Sequence, residues 1–295
     1  MKRIALIISF LCVLCQSLTA KPKELNILIF GHSFGQDCAT YVPGIAKAAG
    51  IDNLRICVFY VANCSLSKHY DNLIGDERYG CMMADPGEKE LTKRNLLSSD
   101  AIRNYRWDYV VLQSALEDNG RYETLQPFLN NLIGEVKKIQ EKKFRKAPVF
   151  CWNLLWPMSK LVENKPSRET LFYRMSFYDQ NSEKMWDAYR ETAAKVLEST
   201  EVSKVIPVGQ AIMDLRHSSL NTPDQKEFTR DGYHLSFGPG RYAAACAFFG
   251  SLIAPVYGKT LVGNTFIVDN ADASMTEEET KEIQNSVAGS LATTD

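Results

Sequence analysis

The chain has 295 residues, of which 45% are hydrophobic, so it is long enough to bury a large core. Its 34 basic and 35 acidic residues nearly balance, and the formal net charge at pH 7 is -1. A balanced charge argues against nucleic acid or an anionic membrane surface as a partner, because both select basic proteins.

The first 20 residues have the pattern of a secretory signal peptide. Lys2 and Arg3 precede an apolar stretch over 4–14, and small and polar residues lead from there to Ala20. The stretch is shorter than a membrane-spanning helix. We therefore expect cleavage after Ala20, export to the periplasm or the cell exterior, and no stable membrane insertion afterwards. A retained membrane anchor is the alternative.

Five apolar runs of strand length alternate with helical patterns in the remaining chain. The runs cover residues 25–30, 54–61, 109–113, 148–152 and 204–208. Because they lack polar alternation, they fit strands that are buried on both faces, as in a parallel sheet. Apolar spacings of three and four residues predict helices over 125–142 and 183–197. Two more are predicted over 38–49, which ends at a glycine, and over 240–252, which is rich in alanine and aromatic residues. This alternation predicts one α/β domain with a doubly wound, mainly parallel sheet of five strands.

The domain is expected to cover residues 21–262, with two long connections over 63–106 and 153–179. Loops of such length carry function or local structure. Beyond residue 262 the pattern weakens, which predicts a C-terminal extension over 263–295 with a short surface helix and a frayed end. Thr276 begins a capping-box sequence at the start of that helix.

Six cysteines follow the predicted cleavage site, and their spacing fits neither a zinc site nor a dense disulfide framework. Those within predicted strands and helices fit buried thiols. Cys64 and Cys81 lie in a predicted loop and could pair in an oxidising compartment. No metal-ligand cluster and no glycine-rich phosphate loop is found in the sequence, so we expect no metal and no cofactor.

Ser33 lies in a turn at the end of the first predicted strand. The strand leads into residues 31–35, Gly-His-Ser-Phe-Gly, and a predicted helix follows. Ligands of α/β sheets bind outside the carboxyl ends of the strands, and a helix N-terminus presents N–H groups to an anion. Ser33 is therefore either a nucleophile or a helix cap. Asp37 is better explained as a helix cap or first-turn acid than as a catalytic group.

A second polar segment supplies the groups that would activate a serine. Of the four histidines, His234 alone follows an aspartate, Asp231, by three residues in a glycine-containing turn. Asp231 could orient the ring and leave its other nitrogen free to remove the proton of Ser33. We therefore predict a triad of Ser33, His234 and Asp231. A surface turn with a half-buried histidine is the alternative.

On these residues the chain resembles the SGNH (GDSL-type) hydrolase superfamily over most of its length. The first block of that superfamily, Gly-x-Ser after a strand, corresponds to residues 31–33, and its last block, Asp-x-x-His, corresponds to Asp231 and His234. The chain looks most like a secreted bacterial branch with a Gly-x-Ser-Phe first block. The resemblance implies a single flavodoxin-like three-layer domain and an enzyme that removes acyl groups, often acetyl, from sugars or lipids.

Two blocks depart from the superfamily pattern, and both concern the oxyanion hole. The second block normally supplies a glycine N–H, but residues 62–69 contain no glycine, so the main-chain N–H of Asn63 or Cys64 is the candidate. The third block normally supplies an asparagine side chain, and Gln113 is the candidate here, with a buried structural glutamine as the alternative. Losing one oxyanion donor typically costs ~100- to 1,000-fold in rate.

These observations predict an exported serine esterase that acts on O-acylated carbohydrate or another small ester. A lipase- or thioesterase-like hydrolase is the nearest alternative. A catalytically impaired glycan-binding protein on the same fold is the alternative from another class. His69 is expected in a loop or at the rim of the site, and His32 is expected to shape the pocket.

Aromatic residues are concentrated in the connection after the fourth predicted strand. We expect them to fill a satellite core, with stacking on sugar rings or cover for an acyl chain as the alternative. They are Trp156, Phe172, Tyr173, Phe177 and Tyr178.

Overall fold

The computed structural model describes residues 24–292, so the predicted signal peptide lies outside the described residues. A central sheet has the strand order β4-β3-β2-β1-β5-β6-β7. Its strands are β1 (Leu25–Gly31), β2 (Leu54–Tyr60), β3 (Arg78–Ala84), β4 (Thr92–Leu97), β5 (Tyr109–Leu112), β6 (Val149–Asn153) and β7 (Val202–Ile206). Strands β1, β2, β5, β6 and β7 run parallel, whereas β3 pairs antiparallel with β2 and β4 pairs antiparallel with β3.

The sheet therefore has seven strands, and the prediction of five was wrong. The five predicted runs correspond to the parallel strands, while β3 and β4 lie inside the connection that was expected to be a long loop. Strand β4 reads Thr-Lys-Arg-Asn-Leu-Leu and has no buried residue. An edge strand of this kind gives no apolar run, because only its backbone joins the sheet.

Every residue of β1 is buried, so helices cover both faces of the sheet at its centre. They are α1 (Ser33–Ala39), α2 (Val42–Ala48), α3 (Leu66–Ile74), α4 (Ser98–Asn104), α5 (Tyr122–Leu125), α6 (Phe128–Phe144), α7 (Glu169–Ser176), α8 (Ser182–Ser199), α9 (Val208–Arg216), α10 (Pro239–Phe248), α11 (Ala254–Tyr257) and α12 (Glu277–Ala292). Helices α1, α9, α10 and α12 form one packed group, and α3, α4 and α6 form another. Shorter helical turns cover Lys160–Val162, Pro223–Phe228 and Phe249–Ile253.

The predicted helix over 38–49 is divided into α1 and α2. Pro43 lies in the first turn of α2. Proline is favoured there because it lacks an N–H and its φ suits a helix start. Helix α1 begins at Ser33, five residues earlier than predicted.

The C-terminal helix α12 has 16 residues and is longer than the short surface helix that was predicted. Thr276 and Glu279 form the predicted capping box, since the Thr276 hydroxyl accepts the Glu279 N–H at 3.1 Å and the Glu279 carboxylate accepts the Thr276 N–H at 2.8 Å. The inward face buries Ile283 and Val287 against α9 and α10. This helix therefore contributes to the core.

All six cysteines within residues 24–292 are buried free thiols. Cys81 lies on β3 rather than in a loop, and the Cys64 thiol donates to the Ser65 carbonyl. The suggested pairing of Cys64 with Cys81 is therefore absent from the described residues. Within the same residues, no helix combines the length and the apolar character that a bilayer crossing requires.

Candidate active site

The candidate site lies where the strand order of the sheet reverses. From β1, the order continues to β2 on one side and to β5 on the other. Connections after these strands diverge at such a point and leave a crevice at their carboxyl ends. Ser33 is separated from the end of β1 by His32 alone and is the first residue of α1.

His32, and not Ser33, caps helix α1. The Nδ1 atom of His32 accepts the Phe34 N–H at 3.3 Å, so Nε2 carries the ring proton and donates to the Ser114 carbonyl at 2.9 Å. Burial lowers the pKa of His32 to about 4, which keeps the ring neutral near pH 7. The Ser33 hydroxyl is therefore not needed for capping, contrary to one of the two interpretations of the sequence.

Ser33, His234 and Asp231 form a continuous hydrogen-bonded chain. The Ser33 Oγ lies 2.8 Å from His234 Nε2, and His234 Nδ1 lies 2.7 Å from Asp231 Oδ2. Burial disfavours the Asp231 carboxylate, but hydrogen bonds from the His234 ring and from main-chain N–H groups outweigh it, so the pKa of Asp231 is lowered. A carboxylate in this position fixes the ring so that Nε2 can accept the serine proton.

The turn that carries Asp231 and His234 is held from several sides. Asp231 Oδ1 accepts the main-chain N–H groups of His234 at 2.8 Å and Tyr233 at 3.2 Å. Gly232 has a φ of +94°, a conformation that L side chains rarely adopt. The Trp156 indole donates to the Tyr233 carbonyl at 2.7 Å, and Arg168 donates to the Asp231 carbonyl at 2.7 Å. These bonds fix the turn at both ends.

Asp37 connects the serine helix to the histidine turn. Its buried carboxylate accepts the Leu235 N–H at 3.0 Å and pairs with Arg241 at 2.8 Å and Arg230 at 3.1 Å. Asp37 therefore spans about two hundred residues of sequence and holds the two halves of the Ser33–His234 contact together. Its sequence context suggested only a local helix role.

Asn63 lies in the connection that follows β2, the strand that neighbours β1 in the sheet. It has a φ of +43°, and its side chain accepts the Leu116 N–H at 3.2 Å while donating to Glu117 at 3.1 Å. Glu117 also pairs with Arg174 at 3.3 Å. The main-chain N–H of Asn63 has no acceptor among residues 24–292. A fixed, unpaired N–H at this edge of the sheet is suited to bind an oxyanion.

Gln113 is fully buried and does not reach the surface of the site. Its Oε1 accepts the Asn153 side chain at 2.9 Å, and its Nε2 has no partner among the described residues. A Cβ at Gly31 or Gly35 would lie 3.5 Å or 3.4 Å from this amide, so both glycines face it. The structure therefore places this side chain between the sheet and helix α1.

His69 is fully buried in helix α3, which contradicts the expectation of a loop or rim residue. Its Nδ1 lies 2.9 Å from the Tyr79 hydroxyl, and its ring packs edge-on against Phe30. Burial, and to a lesser extent the nearby His32, lowers the pKa of His69 to about 3. His69 is thus a neutral core residue beneath the site.

The aromatic residues after β6 differ in burial, and Phe172 is intermediate between two groups. Trp156 and Tyr178 are buried, and Trp156 stacks on Phe34 at 4.2 Å between ring centroids. Tyr173 and Phe177 are exposed and form an edge-to-face pair at 5.3 Å. The satellite-core expectation thus describes only the first group.

Within residues 24–292, no three histidine, cysteine or carboxylate side chains converge as a metal site would require. Asp37 and Trp156 are the supporting residues that the sequence interpretation missed. Asp37 lies one turn into the helix that follows β1, a position where acids often serve only the helix itself. The sequence gives little sign that Asp37 holds the histidine turn, because its partners lie far away along the chain.

The family comparisons agree with the fold. A family model described as "Domain of unknown function (DUF4886)" matches residues 26–282. A search of the curated proteins finds no match. The crystal structure of a DUF4886 family protein from Bacteroides uniformis is 24% identical, with a TM-score of 0.77, over 92% of this chain and 95% of that one.

Two more distant structures share less of the chain. The acetyl xylan esterase AlAXEase is 12% identical, with a TM-score of 0.50, over 78% of this chain and 100% of that one. A protein from Slackia heliotrinireducens, assigned provisionally to the SGNH hydrolases, is 18% identical, with a TM-score of 0.48, over 78% and 99% of the two chains. The similarities to the Bacteroides protein and to AlAXEase show a common α/β fold.

Proposed function

The chain belongs to the DUF4886 family, and we propose that it is an exported serine esterase of SGNH type that removes O-acyl groups, in particular acetyl, from carbohydrate. The observation that carries this proposal is the hydrogen-bonded chain from Ser33 Oγ through the His234 ring to Asp231. A serine that merely caps a helix would have no need of a histidine oriented by a carboxylate.

In the proposed reaction, Ser33 Oγ attacks the ester carbonyl while His234 Nε2 takes its proton. Asp231 stabilises the imidazolium that forms, and His234 then returns the proton to the departing sugar oxygen. This leaves an acyl group on Ser33. A water molecule that gives its proton to His234 attacks the acyl carbon, and Ser33 leaves with the proton as the free acid is released.

The negative charge on the carbonyl oxygen would be held by main-chain groups. Ser33 is the first residue of α1, and the N–H groups of a first helical turn have no partner within the helix. The Asn63 N–H would be the second donor, since it is fixed by the side-chain bonds to Leu116 and Glu117. Gln113 would support the turn from beneath because it lacks exposed surface.

The carbohydrate part of the proposal has two supports. AlAXEase, an acetyl xylan esterase, has the same fold. Tyr173 is exposed on α7, the helix that also carries Arg174 of the Asn63 network. Phe177 packs against Tyr173 and is covered on one face by the Arg121 guanidinium, 4.1 Å from its ring centroid. Aromatic faces of this kind can stack on sugar rings. Export would follow from cleavage of the signal peptide predicted over residues 1–20.

Ser33→Ala is the direct test. The variant should lose hydrolysis of p-nitrophenyl acetate and keep the circular dichroism spectrum and melting temperature of the unchanged protein. Ser219→Ala, at an exposed serine after α9, is the matched control and should retain full activity. Undiminished turnover by Ser33→Ala would refute the proposed mechanism.

Two further measurements separate the alternatives. A series of p-nitrophenyl esters with increasing acyl length should favour acetyl, whereas a preference for long chains would indicate a lipase- or thioesterase-like enzyme. A fluorophosphonate probe should label Ser33 in the folded protein. Absence of labelling would favour a glycan-binding protein that has lost its chemistry.

A further inference from the structure

A small cationic cavity opens beside Asp231. Its volume is about 170 Å³, and its walls come from two segments, 161–168 and 226–232. Four of its lining side chains are cationic, and one is acidic, Asp231 itself. The cationic residues are Lys165, Arg168, Lys226 and Arg230.

Most of this positive charge is not neutralised locally. Arg230 pairs with Asp37, but Lys165, Arg168 and Lys226 form no ion pair within the described part of the chain. The Asp231 carboxylate is occupied by His234. In a chain whose net charge is -1, such a concentration of unpaired cations is a local feature rather than a general property of the surface.

The two glutamates in these segments are directed to groups outside the cavity. Glu163 accepts the main-chain N–H of Ser182 at 2.7 Å, and Glu227 accepts that of Lys160 at 2.9 Å. Neither glutamate lines the cavity. The cavity therefore presents a positive potential to a ligand that enters it.

The cavity is joined to the reacting groups by direct contacts. Arg168 Nη1 donates to the Asp231 carbonyl at 2.7 Å, which holds the guanidinium against the histidine turn. Gly232 forms part of the wall, and a Cβ there would lie 2.2 Å from Val162 Cγ1 and 3.6 Å from Arg168 Nη1. Asp231 is separated from Ser33 only by the His234 ring. Asp231 is therefore shared by the wall of the cavity and the hydrogen-bonded chain that ends at Ser33.

We propose that this cavity binds an anionic substituent, a uronate carboxylate or a sulfate ester, of the glycan whose ester is attacked by Ser33. The inference rests on the proposed function and narrows its substrate to acidic carbohydrate. Guanidinium and ammonium groups bind carboxylate and sulfate oxygens by charge-assisted hydrogen bonds. The volume is below the ~300–1,000 Å³ of sites that enclose a whole drug-sized ligand, and it suits one charged group with part of its ring.

The binding test uses Ser33→Ala protein, so its result does not depend on turnover. Calorimetric titration at low ionic strength compares three unacetylated ligands: trigalacturonate, the same trisaccharide after carboxyl reduction, and a sulfated galactan trisaccharide. At least one acidic ligand should bind ~10-fold or more tightly than the reduced one. The two acidic ligands distinguish carboxylate from sulfate recognition. Equal binding of all three, or no binding of any, would overturn the inference.

Charge-removing variants then locate the binding site. In the Ser33→Ala background, combined Lys165→Gln and Lys226→Gln should weaken acidic-ligand binding by about 3- to 20-fold, given the usual strength of two exposed ion pairs. The control combines Lys146→Gln and Lys195→Gln, two exposed lysines that do not line the cavity. An equal loss in the control would attribute the binding to general surface charge and refute the cavity.

The two proposals fail in different ways. In one outcome, the acidic ligands bind and the variants behave as expected, but the unchanged protein hydrolyses no acyl ester. That result would support the cavity and refute the esterase function. In the other outcome, Ser33→Ala abolishes ester hydrolysis, but the acidic and reduced ligands bind equally. That result would support the esterase and refute the cavity.

Discussion

Replacement of Asp37 by asparagine tests whether this buried carboxylate positions the catalytic groups. The side chain is 1% exposed, and its arginine partners Arg230 and Arg241 are 24% and 12% exposed. Asparagine has the same shape, but it leaves both guanidinium groups without a counter-charge and can turn an N–H toward the Leu235 N–H. Removing one partner of a buried ion pair costs about 3–5 kcal/mol. Because the arginines retain some solvent, we expect a loss of about 2–4 kcal/mol in the free energy of unfolding.

The same substitution should also affect the chemistry. Asp37 joins helix α1 to the turn that carries His234, so its loss should shift the His234 ring relative to Ser33 Oγ. A displacement of about 1 Å can cost roughly 100-fold in rate. We expect kcat for p-nitrophenyl acetate to fall by about 10- to 100-fold while KM changes little. Fluorophosphonate labelling of Ser33 should slow in parallel.

Asp108→Asn is the matched control. Asp108 is also buried, accepting the Asn26 N–H at 3.1 Å and pairing with Arg106 at 2.9 Å, but it precedes β5 at the amino end of the strand, away from the site. Asp108→Asn should lower the free energy of unfolding measured in urea. Its kcat, measured under conditions in which the variant is folded, should be unchanged. If Asp37→Asn retained kcat, or if both variants lost it equally, the positioning role of Asp37 would be refuted.

Two further predictions concern buried polar residues beneath the site. The pKa of His69 is lowered to about 3 from an ordinary 6.5, so the unfolded chain takes up this proton at a higher pH than the folded protein does. The free energy of unfolding should therefore fall as pH decreases below about 6.5. In His69→Gln, the loss of stability between pH 7 and pH 5 should be smaller by about 2 kcal/mol, measured by urea denaturation at both pH values. Gln113→Met should change kcat by less than ~3-fold while removing the acceptor of Asn153, at a cost of about 1–3 kcal/mol in stability. A fall in kcat of ~100-fold or more would instead place Gln113 at the oxyanion.

The parallel strands and the three residues of the Ser33–His234–Asp231 chain were predictable because their signals are local. An apolar run marks a strand buried on both faces, and Asp231 and His234 share one turn. Strand β4 was not predictable in the same way, because it is an edge strand, stabilised by backbone pairing that leaves little trace in its side chains. Strand β3 lies between β2 and β4 and buries alternate residues along most of its length, so it gives no continuous apolar run.

The burial of individual polar residues depended on tertiary contacts and was predicted less well. His69 was expected in a loop or at the rim but lies in the core, bonded to Tyr79. Gln113 was either an oxyanion donor or a buried structural glutamine, and the sequence could not decide between them; the side chain is buried and bonded to Asn153. A polar side chain can be buried at low cost once its hydrogen bonds are formed. The partners that form those bonds lie on other strands, so the residue spacing within one segment does not predict them.

Asn63 shows how a connection without glycine can still contain a residue with positive φ. The connection after β2 contains no glycine, which suggested a defective oxyanion hole. Asn63 nevertheless has a φ of +43°, and asparagine is among the residues other than glycine that best tolerate this region. Its side chain bonds to Leu116 and Glu117 on the connection after β5, which glycine could not do. The asparagine thus combines a turn conformation with a cross-link between two loops of the site, so the absence of glycine is not evidence of lost chemistry.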